Sequence, residues 1–116
     1  MRTLACFVIG MASAVAQPSE PLHLVATVPM PNVEGRIDHM STDVKGQRLF
    51  VAALGNNTLE VIDIKNAKQI HTIPGLHEPQ GITYTPNTNR IYVANGSDGS
   101  LRIFDGTSYQ SLKTIP

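Results

Sequence analysis

The sequence predicts an all-β fold built from two copies of one four-stranded unit, and three observations carry that expectation. Residues 48–74 repeat in residues 90–116 at a constant offset of 42, without a gap. Short runs rich in Val, Ile, Leu, Phe and Thr alternate with Gly, Asn, Asp and Pro clusters every eight to ten residues or so. After residue 16 no stretch keeps helical periodicity over three turns.

Composition narrows the class further. A chain of 116 residues holds at most one ordinary domain. Nine Lys and Arg balance nine Asp and Glu, so no global field attracts nucleic acid or an anionic membrane. At 41% hydrophobic and 16% charged residues it is no disordered polyelectrolyte. One cysteine excludes a disulfide-stapled mini-protein.

The first element is a leader. Arg2 precedes an apolar run from Leu4 to Val15 that ends in Ala14-Val15-Ala16, an Ala-x-Ala pattern. The run is too short to span a bilayer, which takes roughly 20 apolar residues. This is the layout of a Sec-type signal peptide over 1–16, cleaved after Ala16, and it predicts a periplasmic or secreted protein with no membrane contact after cleavage. Cys6 falls inside the leader, too early for a lipid-modified cysteine. The exported chain would therefore hold no cysteine, which removes thiol nucleophiles and Cys-ligated zinc together. Pro18 and Pro21 mark a linker over 17–21.

Next comes a lone strand over 22–28, because Leu24-Val25-Ala26-Thr27-Val28-Pro29 resembles the unit's end, Gln69 to Pro74. The first full unit places strands near 37–43, 48–53, 58–64 and 68–73. The second places them near 80–85, 90–95, 100–105 and 110–115. Gly55-Asn56-Asn57 and Ser97-Asp98-Gly99 join the second and third strands with residues that tolerate positive φ. Asp63 and Asp105 close the third strands, where a carboxylate accepts backbone N–H bonds in a turn. Gly96-Ser97-Asp98-Gly99 resembles a phosphate loop only superficially, since no helix follows it.

Four strands recurring about every 40 residues are the signature of a β-propeller blade. Ile91-Tyr92-Val93-Ala94-Asn95, followed by Ser100-Leu101-Arg102-Ile103-Phe104-Asp105, resembles the YVTN-type propeller repeat found in secreted bacterial YncE-like proteins. Leu49-Phe50-Val51-Ala52-Ala53 with Val61-Ile62-Asp63 is a looser copy. Ala94 replaces the motif's Thr in the better copy, and Ala52-Ala53 replace Thr-Asn in the weaker. The resemblance covers residues 22–116 and implies a partial β-propeller. It comprises two four-stranded antiparallel blades, near 36–74 and 78–116, plus one N-terminal strand of an incomplete blade. A blade has two apolar faces, so two blades leave two faces bare. At about 25 cal/mol per Å², several hundred Å² per face rivals a small domain's stability. The expected partners are further propeller blades, as for the N-terminal fragment of a longer wheel, or other copies of this chain.

Candidate functional residues lie in the loops entering each unit's first strand, because propellers gather ligand groups at the channel mouth. The first loop offers Arg36, Asp38 and His39: a cation, an acid and a base able to read a polar ligand. Asp38 and His39 would point to opposite faces of a regular strand, so joint action needs a bend. The second loop offers His77, Glu78 and Gln80. His23 and His71 read as surface residues of outer strands. No His pair has metal-ligand spacing, no Ser-His-Asp hydrolase motif appears, and no cofactor motif is evident, a c-type haem site included. These features favour a scaffold that binds an unidentified protein or small molecule without catalysis. A lactonase-like hydrolase, or a propeller subunit related to quinoprotein oxidoreductases, is the alternative that the resemblance implies.

Overall fold

The computed structural model describes residues 22–116; the leader, its cleavage point and the linker over 17–21 lie outside the described residues. Eight strands form two antiparallel sheets, each a four-stranded meander in sequence order. The first holds β1 (Met40–Asp43), β2 (Arg48–Ala53), β3 (Thr58–Asp63) and β4 (Lys68–Ile73). The second holds β5 (Pro79–Thr85), β6 (Arg90–Asn95), β7 (Leu101–Asp105) and β8 (Ser111–Ile115).

The 42-residue offset extends to the backbone. Left-handed residues recur at Gln47 and Asn89, at Asn57 and Gly99, and at Ala67 and Tyr109. A tight turn needs positive φ there, and even Ala67 and Tyr109 adopt it at φ 50° and 60°. The turn after β2 is a short 3-10 turn, Leu54–Asn56, closed by Asn57. Asp63 and Asp105 close their turns as expected: Asp63 Oδ1 accepts the Asn66 N–H, and Asp105 Oδ1 accepts those of Thr107 and Ser108.

Packing follows from the register. Phe50 lies opposite Val61, and Leu59 opposite both Ala52 and Ile73, so these five side chains share one face of the first sheet. In the second sheet Ile91 opposes Phe104, and Val93 opposes Ile82. The two faces meet, and Phe50, Leu59, Val61, Ile73, Leu76, Ile91, Val93 and Phe104 form one buried core. Each large side chain so buried stabilises the fold by about 1.5–3 kcal/mol.

A polar tie crosses the same seam. Arg48 Nε and Nη2 donate to Asp43 Oδ2 at 3.0 and 2.7 Å. Its Nη1 reaches the second sheet, donating to the Gly106 carbonyl and to the Tyr109 hydroxyl oxygen. The guanidinium also lies over the rings of Phe50, Tyr84 and Tyr109. The backbone N–H of Tyr84 donates to Ser41 Oγ, joining β5 to β1.

The second sheet's outward face lacks such cover. Tyr92, Ala94, Leu101, Ile103 and Ile115 are the repeat equivalents of Phe50, Ala52, Leu59, Val61 and Ile73. The first-sheet five are buried, whereas Ile115 is 40% exposed, Ala94 is exposed, and the other three are half-buried. Of the two bare apolar faces expected, this one is present, whereas on the first sheet's outward face Val51, Ala53 and Ile62 are buried.

Two expectations change. The lone strand over 22–28 does not form: residues 22–27 are exposed and 22–29 join neither sheet. A strand needs a partner to form its ladder, and sequence likeness to β4 does not supply one. The first strand also starts at Met40 rather than 37, for a reason that shapes the candidate site.

Candidate functional site

The meander sends β1, β3, β5 and β7 away from one rim and returns β2, β4, β6 and β8 to it. Segments 30–39, 54–57, 74–78 and 96–100 therefore share that rim, which carries Arg36, Asp38, His39, His77, Glu78 and Gln80. Side-chain cross-links help to hold it. Asn57 Oδ1 accepts the Glu78 N–H at 2.8 Å, tying the sheets together, and Asn56 Oδ1 accepts the Glu34 N–H at 3.3 Å. Gly55 approaches the loop so closely that a Cβ there would lie 2.6 Å from the Arg36 backbone nitrogen, so only glycine fits.

Ahead of β1 the ladder is irregular. Asp38 N–H donates to the Ala52 carbonyl, while Ala52 N–H donates to the carbonyl of the next residue, His39. Two residues thus oppose one, which is a β-bulge. The bulge supplies the bend that joint action requires. Asp38 Oδ1 lies 2.7 Å from His39 Nδ1, and Asp38 Oδ2 accepts from Arg36 Nη2 at 3.1 Å. The regular-strand expectation that the acid and the base face apart is corrected by this bulge. His39 remains largely exposed, with its Nδ1 side against the carboxylate.

The second sheet bulges at the equivalent place. Pro79 opposes Asn95 and Ile82 opposes Val93, leaving Gln80 and Gly81 across from Ala94. There the rim residues take separate roles. His77 Nε2 stands 4.0 Å from Asp98 Oδ2, beyond hydrogen-bond range. Asp98 is held below the ordinary carboxylate range, first by the Ser100 hydroxyl and then by the Ser100 N–H. The backbone carbonyls of His77 and Glu78 accept the N–H groups of Ser97 and Gly96. The structure therefore assembles Arg36, Asp38 and His39 into one cluster, and uses His77 and Glu78 in part to fasten loops. Among the described residues no group of three His, Cys, Asp or Glu is arranged to hold a metal ion.

Two features escaped the sequence reading. Asn95, at the end of β6, is buried and clamps the rim: its Oδ1 accepts the His77 N–H and its Nδ2 donates to Ser100 Oγ at 2.9 Å. Glu60 is fully buried, and its carboxylate accepts from Thr58 Oγ1, Gln69 Nε2 and Thr72 Oγ1. Alternation alone places Glu60 beside Val51 on a face that reads as apolar; only the three donors around it hint at burial.

No protein-family model matches the chain, and no curated protein matches it. Solved structures do. Kuenenia stuttgartiensis hydrazine synthase aligns with a TM-score of 0.60 at 22% identity, over 66% of this chain and 22% of that one. Apo AztD from Citrobacter koseri aligns at 0.59 and 21%, over 69% and 23%. The WD40 repeats of RRP9 align at 0.59 and 14%, over 66% and 23%. The chain spans under a quarter of each of these matched chains. At such identities the likeness shows fold alone, and the fold is that of β-propeller blades.

Proposed function

We propose that this chain is an exported YVTN-type propeller repeat protein, related to secreted YncE-like proteins, that serves as a binding scaffold. The observation that carries the reading is the rim cluster: a bulge brings Arg36, Asp38 and His39 together at the entry to the first strand. A cation, a carboxylate and an imidazole on a rigid sheet suit recognition of a polar ligand or a polar protein segment. Asn95 supports the family reading, since the motif's Asn performs a clamping task at the same rim. The leader over 1–16 supports export to the periplasm or beyond. No cofactor enters this reading.

The outward face of the second sheet takes a further four-stranded sheet of the same kind, supplied by further blades or by another copy of the chain. The seam already formed supports this, because the same face of the first sheet is the one its neighbour covers.

The Asp38–His39 contact favours one second reading, a lactonase-like hydrolase with His39 as base. His39→Ala separates the two. In the scaffold reading the variant weakens capture of polar ligands at the rim and no lactone is turned over by either protein. Lactone hydrolysis by the native chain, lost in a folded His39→Ala variant, establishes the hydrolase instead. N-terminal sequencing of the periplasmic protein tests export, with Gln17 the expected first residue.

A further inference from the structure

At the end opposite the rim, the turns after β1 and β5 leave a cleft of about 320 Å³ between the sheets, lined by Thr42, Asp43, Val44, Lys45, Tyr84 and Pro86. That volume is at the lower end for small-molecule sites. Its walls are apolar: the Val44 side chain, 84% exposed, the Pro86 ring and the Tyr84 ring.

Of the charged and phenolic groups there, all but Lys45 are already engaged; Thr42 adds a neutral hydroxyl. Asp43 accepts from the Gly46 N–H and from Arg48. The Tyr84 hydroxyl donates to Asn89 Oδ1 at 3.1 Å. Lys45 is exposed, and among the described residues it joins none of the ion pairs. An apolar slot with one uncompensated cation at its mouth selects a ligand with a flat apolar body and a single negative charge.

We propose that this cleft binds a small aromatic carboxylate, its ring lying against Val44, Tyr84 and Pro86 and its carboxylate on the Lys45 ammonium. The site is separate from the rim and stands whether or not the rim binds anything. Ring burial in the slot and charge pairing at the mouth each contribute to affinity.

Titrating the full chain with benzoate, benzyl alcohol and benzylamine, followed by backbone amide NMR, tests this. The expected result is saturable benzoate shifts confined to residues 42–46 and 84–89, with benzyl alcohol weaker and benzylamine weakest. Lys45→Gln should weaken benzoate about tenfold and leave benzyl alcohol unchanged. Val44→Asp, at an exposed turn position, should abolish benzoate binding with the fold intact. Equal affinity for benzoate and benzylamine, insensitivity to Lys45→Gln, or shifts centred elsewhere would overturn the proposal.

Discussion

Asp38 and His39 touch, Oδ1 to Nδ1 at 2.7 Å, although they are consecutive residues entering a β-strand. The contact exists because both oppose Ala52 across a bulge. Its energetic weight is small, since His39 is largely exposed and surface pairs contribute about 0–1 kcal/mol. Its consequence is orientation: the Nδ1 side of the imidazole is held against the carboxylate.

Asp38→Ala therefore changes the ring more than the fold. In the native protein imidazole nitrogen NMR shifts should show the Nδ1-protonated form dominating over the Nε2-protonated one. The variant should show a tautomer mixture, with a urea midpoint displaced by less than about 1 kcal/mol in stability. Unchanged nitrogen shifts would mean that the carboxylate does not orient the ring.

Arg48 has the opposite balance. It pairs with a buried carboxylate and bonds two groups of the other sheet. Arg48→Ala leaves Asp43 buried without its cation, and should cost about 3–5 kcal/mol in urea unfolding. Arg48→Lys keeps the charge without the planar fork and should fall between that and the native protein. Arg90, its repeat equivalent, bonds Asp105 and the Asn89 carbonyl, both within its own sheet. Arg90→Ala should cost far less, about 1 kcal/mol.

Acid should weaken the fold through the same pair. Burial pushes the Asp43 carboxyl upwards, but the Gly46 N–H and Arg48 outweigh it and hold it below the ordinary value of 3.8. Hydrogen bonds hold Asp63, Asp98 and Asp105 below that value too. Groups depressed in the folded state stabilise it fully above their unfolded pKa. That contribution is lost as pH falls through the lower folded values. The urea midpoint should therefore drop below about pH 4, and Asp43→Asn should drop less steeply there. A midpoint flat down to pH 2 would contradict these depressions.

Much of the fold was legible because it depends on local signals. Alternating Val51 and Phe50 marked a strand with two faces to bury, and Asn57 and Gly99 sit where tight turns need positive φ. The 42-residue offset carried the strand order of both sheets. The candidate site was legible only as a set of residues. That Asp38 meets His39 depends on a register slip against Ala52, and no property of either residue announces it. The segment over 22–28 misled for a related reason: its composition matches β4, but a strand needs a ladder partner as well as propensity. The cleft by Lys45 was invisible because Val44 and Tyr84 lie forty residues apart and meet only when the sheets stack.

An apolar sheet face as bare as that of Tyr92, Leu101 and Ile103 needs a second sheet against it, and that face is where this can be checked. Sedimentation velocity of the chain from Gln17 onward, over a wide concentration range, is the direct measurement. Association that grows with concentration, and that Ile103→Glu abolishes while the circular dichroism spectrum stays β-rich, is the predicted result. A folded species that stays monomeric at every concentration, with Ile103→Glu indistinguishable from it, would contradict the account.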